Sequence, residues 1–294
     1  MVRHYLSLVK FSHTVFAMPF ALVGFFLAAF PRGGVARAWS DLWPTLAGVV
    51  LCMVTARSAA MAFNRWLDRH FDARNPRTAI REIPAGIVSP EGALRFTLLM
   101  SAAFVATTGF INLLCLALSP VALAVVLGYS YTKRFTPLCH LVLGVGLALA
   151  PIGAYLAVTG AFAVLPLLFS FAVLCWVSGF DIIYALQDVE FDRSQGLHSI
   201  PARMGRAGAL RVSRGLHLLA AGFIAAAGLA GGFGVAFWLG AAVFCGMLVY
   251  QQSLVRPDDL SRVNLAFMTA NGVASVVFGV LALLDILHPF QWPV

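Results

Sequence analysis

Charge is what this sequence has least of. Only 11% of its 294 residues are Asp, Glu, Lys or Arg, against about 25% in soluble globular chains, and 61% are hydrophobic. That balance excludes an ordinary soluble domain and points to a polytopic membrane protein. Cysteine pairing is also missing. Cys52, Cys115, Cys139, Cys175 and Cys245 lie in or beside apolar runs with no C-x-x-C spacing, so neither a disulfide framework nor a zinc site is indicated; they read as small buried hydrophobes. Acids are the scarcest charges, 12 against 20 bases, for a net charge of +8. The basic excess does not imply nucleic acid. The arginines fall mostly in short loops between apolar runs, where membrane topology explains them, and no soluble stretch is long enough to bind DNA.

Arg3 and Lys10 precede the apolar run Phe16 to Phe30, a pattern that resembles a secretory signal. No A-x-A site follows and many further spans do, so the run reads as the first membrane helix. Apolar runs of roughly 17 to 25 residues predict an all-α bundle of nine transmembrane helices in a single integral-membrane domain, at 13–31, 43–67, 93–114, 118–132, 139–159, 162–186, 212–231, 234–252 and 264–287. Ser119-Pro120 and Lys133-Arg134 mark the limits of the fourth. Apart from Arg32, Arg37 and Arg57, every Lys and Arg lies in the N-terminal segment, in the loops after the second, fourth, sixth and eighth spans, or at the helix ends beside them. The positive-inside rule then puts the N-terminus in the cytoplasm and the C-terminus outside, in a bacterial inner membrane, with Trp39, Trp43 and Trp292 at the far interface.

Against so few acids, their placement is informative. Asn64, Asp68 and Asp72 recur every four residues at the end of a span, which on one helix stacks them into a ladder about two turns long. Asp188 and Asp192 repeat the spacing after another span, and the two ladders hold four of the 12 acids. Facing carboxylate ladders at the mouth of a membrane bundle suit Mg²⁺ and a diphosphate, although both would repel each other if ionised and empty. Arg74, Arg77 and Arg81 follow the first ladder, and Tyr129 shares a helical face with Lys133. Arg74, Arg95, Arg203 and Arg206 read as ordinary topology residues. Asp181 lies two turns deeper than Asp188, and Arg57 two turns deeper than Asn64; each is costly inside a membrane without a partner or a task. They could pair with each other, or Asp181 could assist the metal shell or steer a reacting ring while Arg57 holds an acceptor carboxylate. His70 faces away from the ladder. Asp68-x-x-x-Asp72 and Ile83-Pro84-Ala85 recur as Asp188-x-x-x-Asp192 and Ile200-Pro201-Ala202, the mark of a parallel internal repeat, with motifs at 64–86 and 181–202.

Along its whole length the chain resembles the UbiA superfamily of intramembrane aromatic prenyltransferases. The resemblance is carried by Asn64-x3-Asp68-x3-Asp72, Arg77-Thr78 with Arg81, Tyr129-Ser130-Tyr131-Thr132-Lys133, and Asp181-x2-Tyr184-x3-Asp188-x3-Asp192. It implies a nine-helix bundle with a polar chamber at its cytoplasmic end and a lateral opening to lipid. It also implies Asn64, Asp68, Asp72, Asp188 and Asp192 as Mg²⁺-diphosphate ligands, and Arg81, Tyr129 and Lys133 as diphosphate contacts, with Arg77 beside them. Asp68, Asp188, Asp181 and Arg57 are the candidate catalytic residues. The nearest branch is the 4-hydroxybenzoate polyprenyltransferases of ubiquinone and menaquinone biosynthesis, whose substrates are a polyprenyl diphosphate and a small aromatic acid. Those enzymes usually read Pro-Leu after the arginine that Arg81 matches, whereas here Glu82-Ile83-Pro84 follows. That departure resembles a side branch that includes candidates for prenylating 1,4-dihydroxy-6-naphthoate in futalosine-type menaquinone synthesis. A secondary transporter is the rival of a different class, but such proteins place their charges near the midplane on interrupted helices.

Overall fold

The structure is a computed structural model that describes Leu8 and residues 16–31 and 37–288, with no strand among them. In chain order the helices are α1 (Met18–Ala29), α2 (Trp39–Leu67), α3 (Arg69–Arg74), α4 (Pro90–Ile111), α5 (Leu113–Thr132), α6 (Cys139–Thr159) and α7 (Val164–Ala185). A 3₁₀ turn (Leu186–Asp188) leads to α8 (Val189–Ser194), α9 (Ile200–Ala230), α10 (Val235–Ser253), α11 (Val263–Leu265), a π turn (Ala266–Ala270) and α12 (Asn271–Leu287).

Among the described residues, 8 helical segments are long and apolar enough to cross a membrane. The expected first span is the exception. α1 has 12 residues, a rise of about 18 Å against a hydrocarbon core of about 30 Å. Its Phe20, Val23 and Phe25 are fully buried, and it packs on α6 and α12. Residues 13–15 of that span lie outside the described residues, as do Arg3, Lys10, Arg32 and Trp292. Trp39 and Trp43 are 55% and 57% exposed, as interfacial rings should be.

The junction of the third and fourth predicted spans and the start of the seventh both move, each for a local reason. α4 stops at Ile111 and α5 begins at Leu113, because Asn112 takes extended backbone and its side chain accepts from Cys115 N at 2.8 Å. Its amide also donates to Leu156 O at 2.9 Å. Pro120 is therefore inside α5 instead of starting it. The carbonyl that proline cannot serve, Leu116 O, accepts from the Ser119 hydroxyl at 2.8 Å, which relieves the usual penalty of an interior proline. At the other end, α9 starts at Ile200 instead of 212, capped by Ser199 Oγ on Ala202 N at 3.2 Å. Its first turns are too basic to register as apolar, and Gly205, at φ 71°, breaks them from the rest.

The most enclosed segment is α7, whose Trp176, Phe169, Ile182 and Ile183 have no exposure. Trp176 Nε1 donates to Asn271 Oδ1 at 2.9 Å, so the indole N–H at the centre of the apolar core is satisfied. Gly24 lets α1 meet α6: a Cβ there would stand 2.0 Å from Pro151 O. Leu98, Leu99, Phe110, Leu218 and Leu219 face outward, as expected of a bundle whose outer solvent is lipid. The tight centre around α7 fixes the ends of α2, α5, α6 and α7, where the polar residues gather.

Candidate active site

Neither acidic motif lies on one continuous helix. α2 ends at Leu67, and Asp68, at φ −91° and ψ 6°, separates it from α3. The bonds Asp68 N to Asn64 O (2.9 Å) and Asp72 N to Asp68 O (2.8 Å) survive, so one-turn spacing is kept while the straight ladder is not. The second motif bends more, through the 3₁₀ turn and Asp188 at φ −103° and ψ 7°. Both aspartates occupy the sparsely populated bridge region, where active-site residues often sit. Asp72 and Asp192 then lie on matching short helices, α3 and α8.

A cavity of about 290 Å³ opens between these ends. Arg57, Asn64, Asp68, Asp72, Arg77, Arg81, Tyr129, Lys133, Asp181 and Asp188 all line it. Asp192 does not. Its side chain is fully enclosed, held by Lys133 Nζ at 2.7 Å and Ser199 Oγ at 2.9 Å. His70 is exposed and outside the lining, as its helical phase implied, and Arg74, Arg95, Arg203 and Arg206 are likewise absent.

Each motif aspartate is paired with a base. Asp72 meets Arg81 at 2.6 Å and Asp68 meets Arg134 at 3.0 Å. Asp188 accepts from Arg77 Nε at 3.0 Å and from Asn75 at 3.1 Å, while Arg77 also donates to Tyr184 at 3.0 Å. The expected repulsion between empty ladders is thus removed by neutralisation. Asn64 donates to Asp68 Oδ2 at 3.0 Å and to Ser130 Oγ at 3.4 Å.

Burial, the largest influence, pushes the Asp68 carboxyl up to about 6, against the pull of Arg134. For Arg77 burial acts downward, but the hydrogen bond and charge of Asp188 outweigh it and hold the guanidinium above its ordinary value. Lys133 follows the same pattern with Asp192 as its partner.

Among the described residues no group of three or more His, Cys, Asp and Glu side chains forms a ready-made metal cage. One atom fits a cation nonetheless: Asp72 Oδ2 is buried with no hydrogen-bond partner, an orphan acceptor of the kind an oxygen-seeking ion completes.

Asp181 and Arg57 do not pair. Asp181 Oδ2 lies 2.6 Å from His140 Nδ1, whereas Arg57 Nε is buried without a hydrogen-bond partner. Arg57 instead stands where the polar cavity meets a second one of about 380 Å³. Arg57, Met61, Tyr129, Leu143 and Leu147 line both. The second cavity runs between α2, α4, α5 and α6 past Cys52, Phe104, Ile111, Gly153 and Phe162. Sequence reasoning missed Asn75, Ser130, Arg134 and His140. Only His140, an ionisable group in the first turn of a span, carried a signal that could have found it.

The UbiA prenyltransferase family model matches residues 17–273. The chain belongs to that family. It is 34% identical over 187 residues to a 4-hydroxybenzoate octaprenyltransferase of Aeromonas salmonicida, covering 62% of this chain and 64% of that one, so the match spans somewhat less than two thirds of that relative. The apo structure of a UbiA homologue from Aeropyrum pernix has 34% identity and a TM-score of 0.81, over 93% of this chain and 98% of that one. A UbiA homologue from Archaeoglobus fulgidus bound to GPP and Mg²⁺ shares the fold at 19% identity, with a TM-score of 0.75 over 97% and 99%. Membership of the UbiA family makes the chain an integral membrane enzyme, and the cavity between its helix ends is the candidate active site.

Proposed function

We propose that this protein transfers a polyprenyl group from an allylic polyprenyl diphosphate to a small aromatic acid, with 4-hydroxybenzoate as acceptor, in quinone biosynthesis. One observation carries the reading: a charge-paired polar cavity joins, at Arg57 and Tyr129, an apolar cavity able to take an isoprenoid chain. The Aeromonas relative bears that activity in its name.

Asn64, Asp68, Asp72 and Asp188 are the residues that would hold Mg²⁺, with Asp192 joining if it leaves Lys133. Bound Mg²⁺ supplies stabilisation of the negative charge that gathers on the departing diphosphate. Arg77, Arg81 and Lys133 add donors to the diphosphate oxygens, and Tyr129 sits between diphosphate and chain. As the allylic C–O bond ionises, an electron-rich ring carbon attacks the allylic carbon, and Asp181 takes the ring proton. Arg57 holds the acceptor carboxylate. The apolar walls exclude water that would trap the cation.

The family and the sidedness of the charges argue against a transporter, since the carboxylates gather at one end of the bundle and not at its midplane. That end is the cytoplasmic one, and the two acidic motifs form a parallel repeat; the matching helices α3 and α8 support this. Glu82 keeps 1,4-dihydroxy-6-naphthoate in the panel of acceptors. The test incubates purified protein with a polyprenyl diphosphate and a panel of aromatic acids, with products read by mass spectrometry. Prenylated 4-hydroxybenzoate that disappears with chelator, and in folded Asp68→Ala or Asp188→Ala protein, is the expected result. Full turnover in excess chelator refutes the metal role, and a product from the naphthoate alone reassigns the acceptor.

A further inference from the structure

The polar cavity contains one ionisable pair that the metal and diphosphate leave unused. Asp181 differs from the four motif aspartates in its partner, which is neither Arg nor Lys but His140 on the first turn of α6. Both residues line the cavity. The imidazole is 3% exposed, while the Asp181 side chain, which lines the cavity, is 24% exposed. A carboxylate only accepts, so His140 Nδ1 carries the hydrogen and donates it to Oδ2. Oδ1 makes no hydrogen bond among the described residues.

The same cavity has an aromatic wall, and one of its rings, Phe180, is the residue before Asp181. Phe16, Phe180 and Phe267 all line the cavity, with ring centroids 6.2, 6.0 and 5.5 Å apart in pairs. Phe267 lies on the π turn Ala266–Ala270, a winding that recurs at functional sites. Its ring meets Tyr184 at 4.3 Å. A flat aromatic acceptor has edge-to-face partners here that an aliphatic one lacks.

We propose that His140 is a positioning residue for prenyl transfer: by holding Oδ2 it turns Asp181 Oδ1 toward an acceptor ring seated against Phe16, Phe180 and Phe267. The proposal rests on the prenyl-transfer reading above. In the step it serves, the ring carbon beside the phenolic oxygen gives an electron pair to the allylic carbon and the new C–C bond forms. The C–H bond at that carbon then breaks, its electron pair restores the aromatic ring, and its proton passes to Oδ1. A carboxylate free to rotate is misaligned for that transfer, and misplacement by about 1 Å costs on the order of 10²-fold.

Isosteric substitutions give the test. In His140→Asn the side-chain amide falls near the position of Nδ1, in His140→Gln near that of Nε2, and His140→Leu offers neither. The full-length protein in detergent is assayed with a polyprenyl diphosphate, Mg²⁺ and 4-hydroxybenzoate, and both prenylated acceptor and prenyl alcohol are quantified. Gln and Leu should lower kcat for acceptor prenylation by about 10²-fold, leave KM for the diphosphate unchanged, and raise the share of prenyl alcohol as water captures the cation. Asn should recover most of that loss. Equal impairment by Asn and Gln, or an unchanged product ratio in both, overturns the proposal, and this comparison stands even if the Leu variant does not fold. If wild-type protein binds the diphosphate yet prenylates no aromatic acid, the underlying reading fails instead.

Discussion

Arg57→Ala separates the two uses a membrane enzyme can make of a buried guanidinium. If Arg57 balanced a buried carboxylate, its removal would strand that charge and destabilise the fold by about 3–5 kcal/mol. Asp181, one of the carboxylates that Arg57 could have paired with, is satisfied by His140 at 2.6 Å, and Arg57 Nε has no hydrogen-bond partner. Truncation should therefore leave thermal stability unchanged or raised. If Arg57 instead receives the acceptor carboxylate, the variant loses one charge-assisted hydrogen bond, worth about 1.5–3 kcal/mol, which is roughly a 10- to 150-fold rise in acceptor KM. Steady-state kinetics with 4-hydroxybenzoate and with the same phenol lacking its carboxylate make the comparison, alongside direct binding of the polyprenyl diphosphate. The carboxylate-free acceptor should be nearly indifferent to the substitution. An equal loss with both acceptors, or weaker diphosphate binding, refutes the assignment. A drop in melting temperature of the size expected for a broken ion pair refutes the structural argument as well.

Lys133→Ala is the opposite case. It leaves the fully enclosed Asp192 facing only Ser199, so thermal unfolding in detergent should show a loss of about 3–5 kcal/mol, and an unshifted midpoint counts against the pair. The Asp68 carboxyl, raised by burial to about 6, must shed its proton to bind a cation. A group whose folded-state value lies above its unfolded one favours the folded protein below that unfolded value, and the advantage is lost as pH rises to about 6. Mg²⁺ binding has the reverse sense: its apparent affinity should fall about tenfold for each pH unit below 6 and level off above, by calorimetry, and Asp68→Asn should remove that slope. For topology, cysteines at Ala73 and Ser194 should be labelled from the cytoplasmic side and one at Ala161 from the other; labelling of positions 73 and 194 from opposite sides contradicts both the orientation and the parallel repeat.

Spans were legible in the sequence because burying apolar residues in lipid needs length and little else, and length is visible. The breaks were not. Asn112 ends α4 with one side chain that makes two hydrogen bonds, to Cys115 N and Leu156 O, and the second acceptor is on a helix that only the fold brings near. Pro120 misled for a related reason, since the Ser119 hydroxyl supplies what the proline withholds. In the site, the candidates came from spacing and from the family resemblance, and the structure gathers all of them except Asp192 around one cavity. Their partners did not follow. Arg134 reaches Asp68 across 66 positions and Arg77 reaches Asp188 across 111, contacts set by how α2, α5 and α7 converge, and helical periodicity carries no information about convergence.

Those partnerships also bear on how such a site survives between turnovers. Three motif carboxylates on the cavity wall, with Asp192 enclosed behind it, would repel one another if left bare in a medium that screens poorly. Supplying each with its own base solves this with residues that have a second use. The groups suited to diphosphate, Arg77, Arg81 and Lys133, are the same ones that cover Asp188, Asp72 and Asp192. On the reading proposed above, a magnesium-bound diphosphate would take donors from these bases and ligands from the carboxylates that they release. Asp181 stands outside this exchange because its partner is His140 and not one of those three bases. On the same reading, the Asp181–His140 pair would keep one geometry while the Arg77, Arg81 and Lys133 pairs exchange partners.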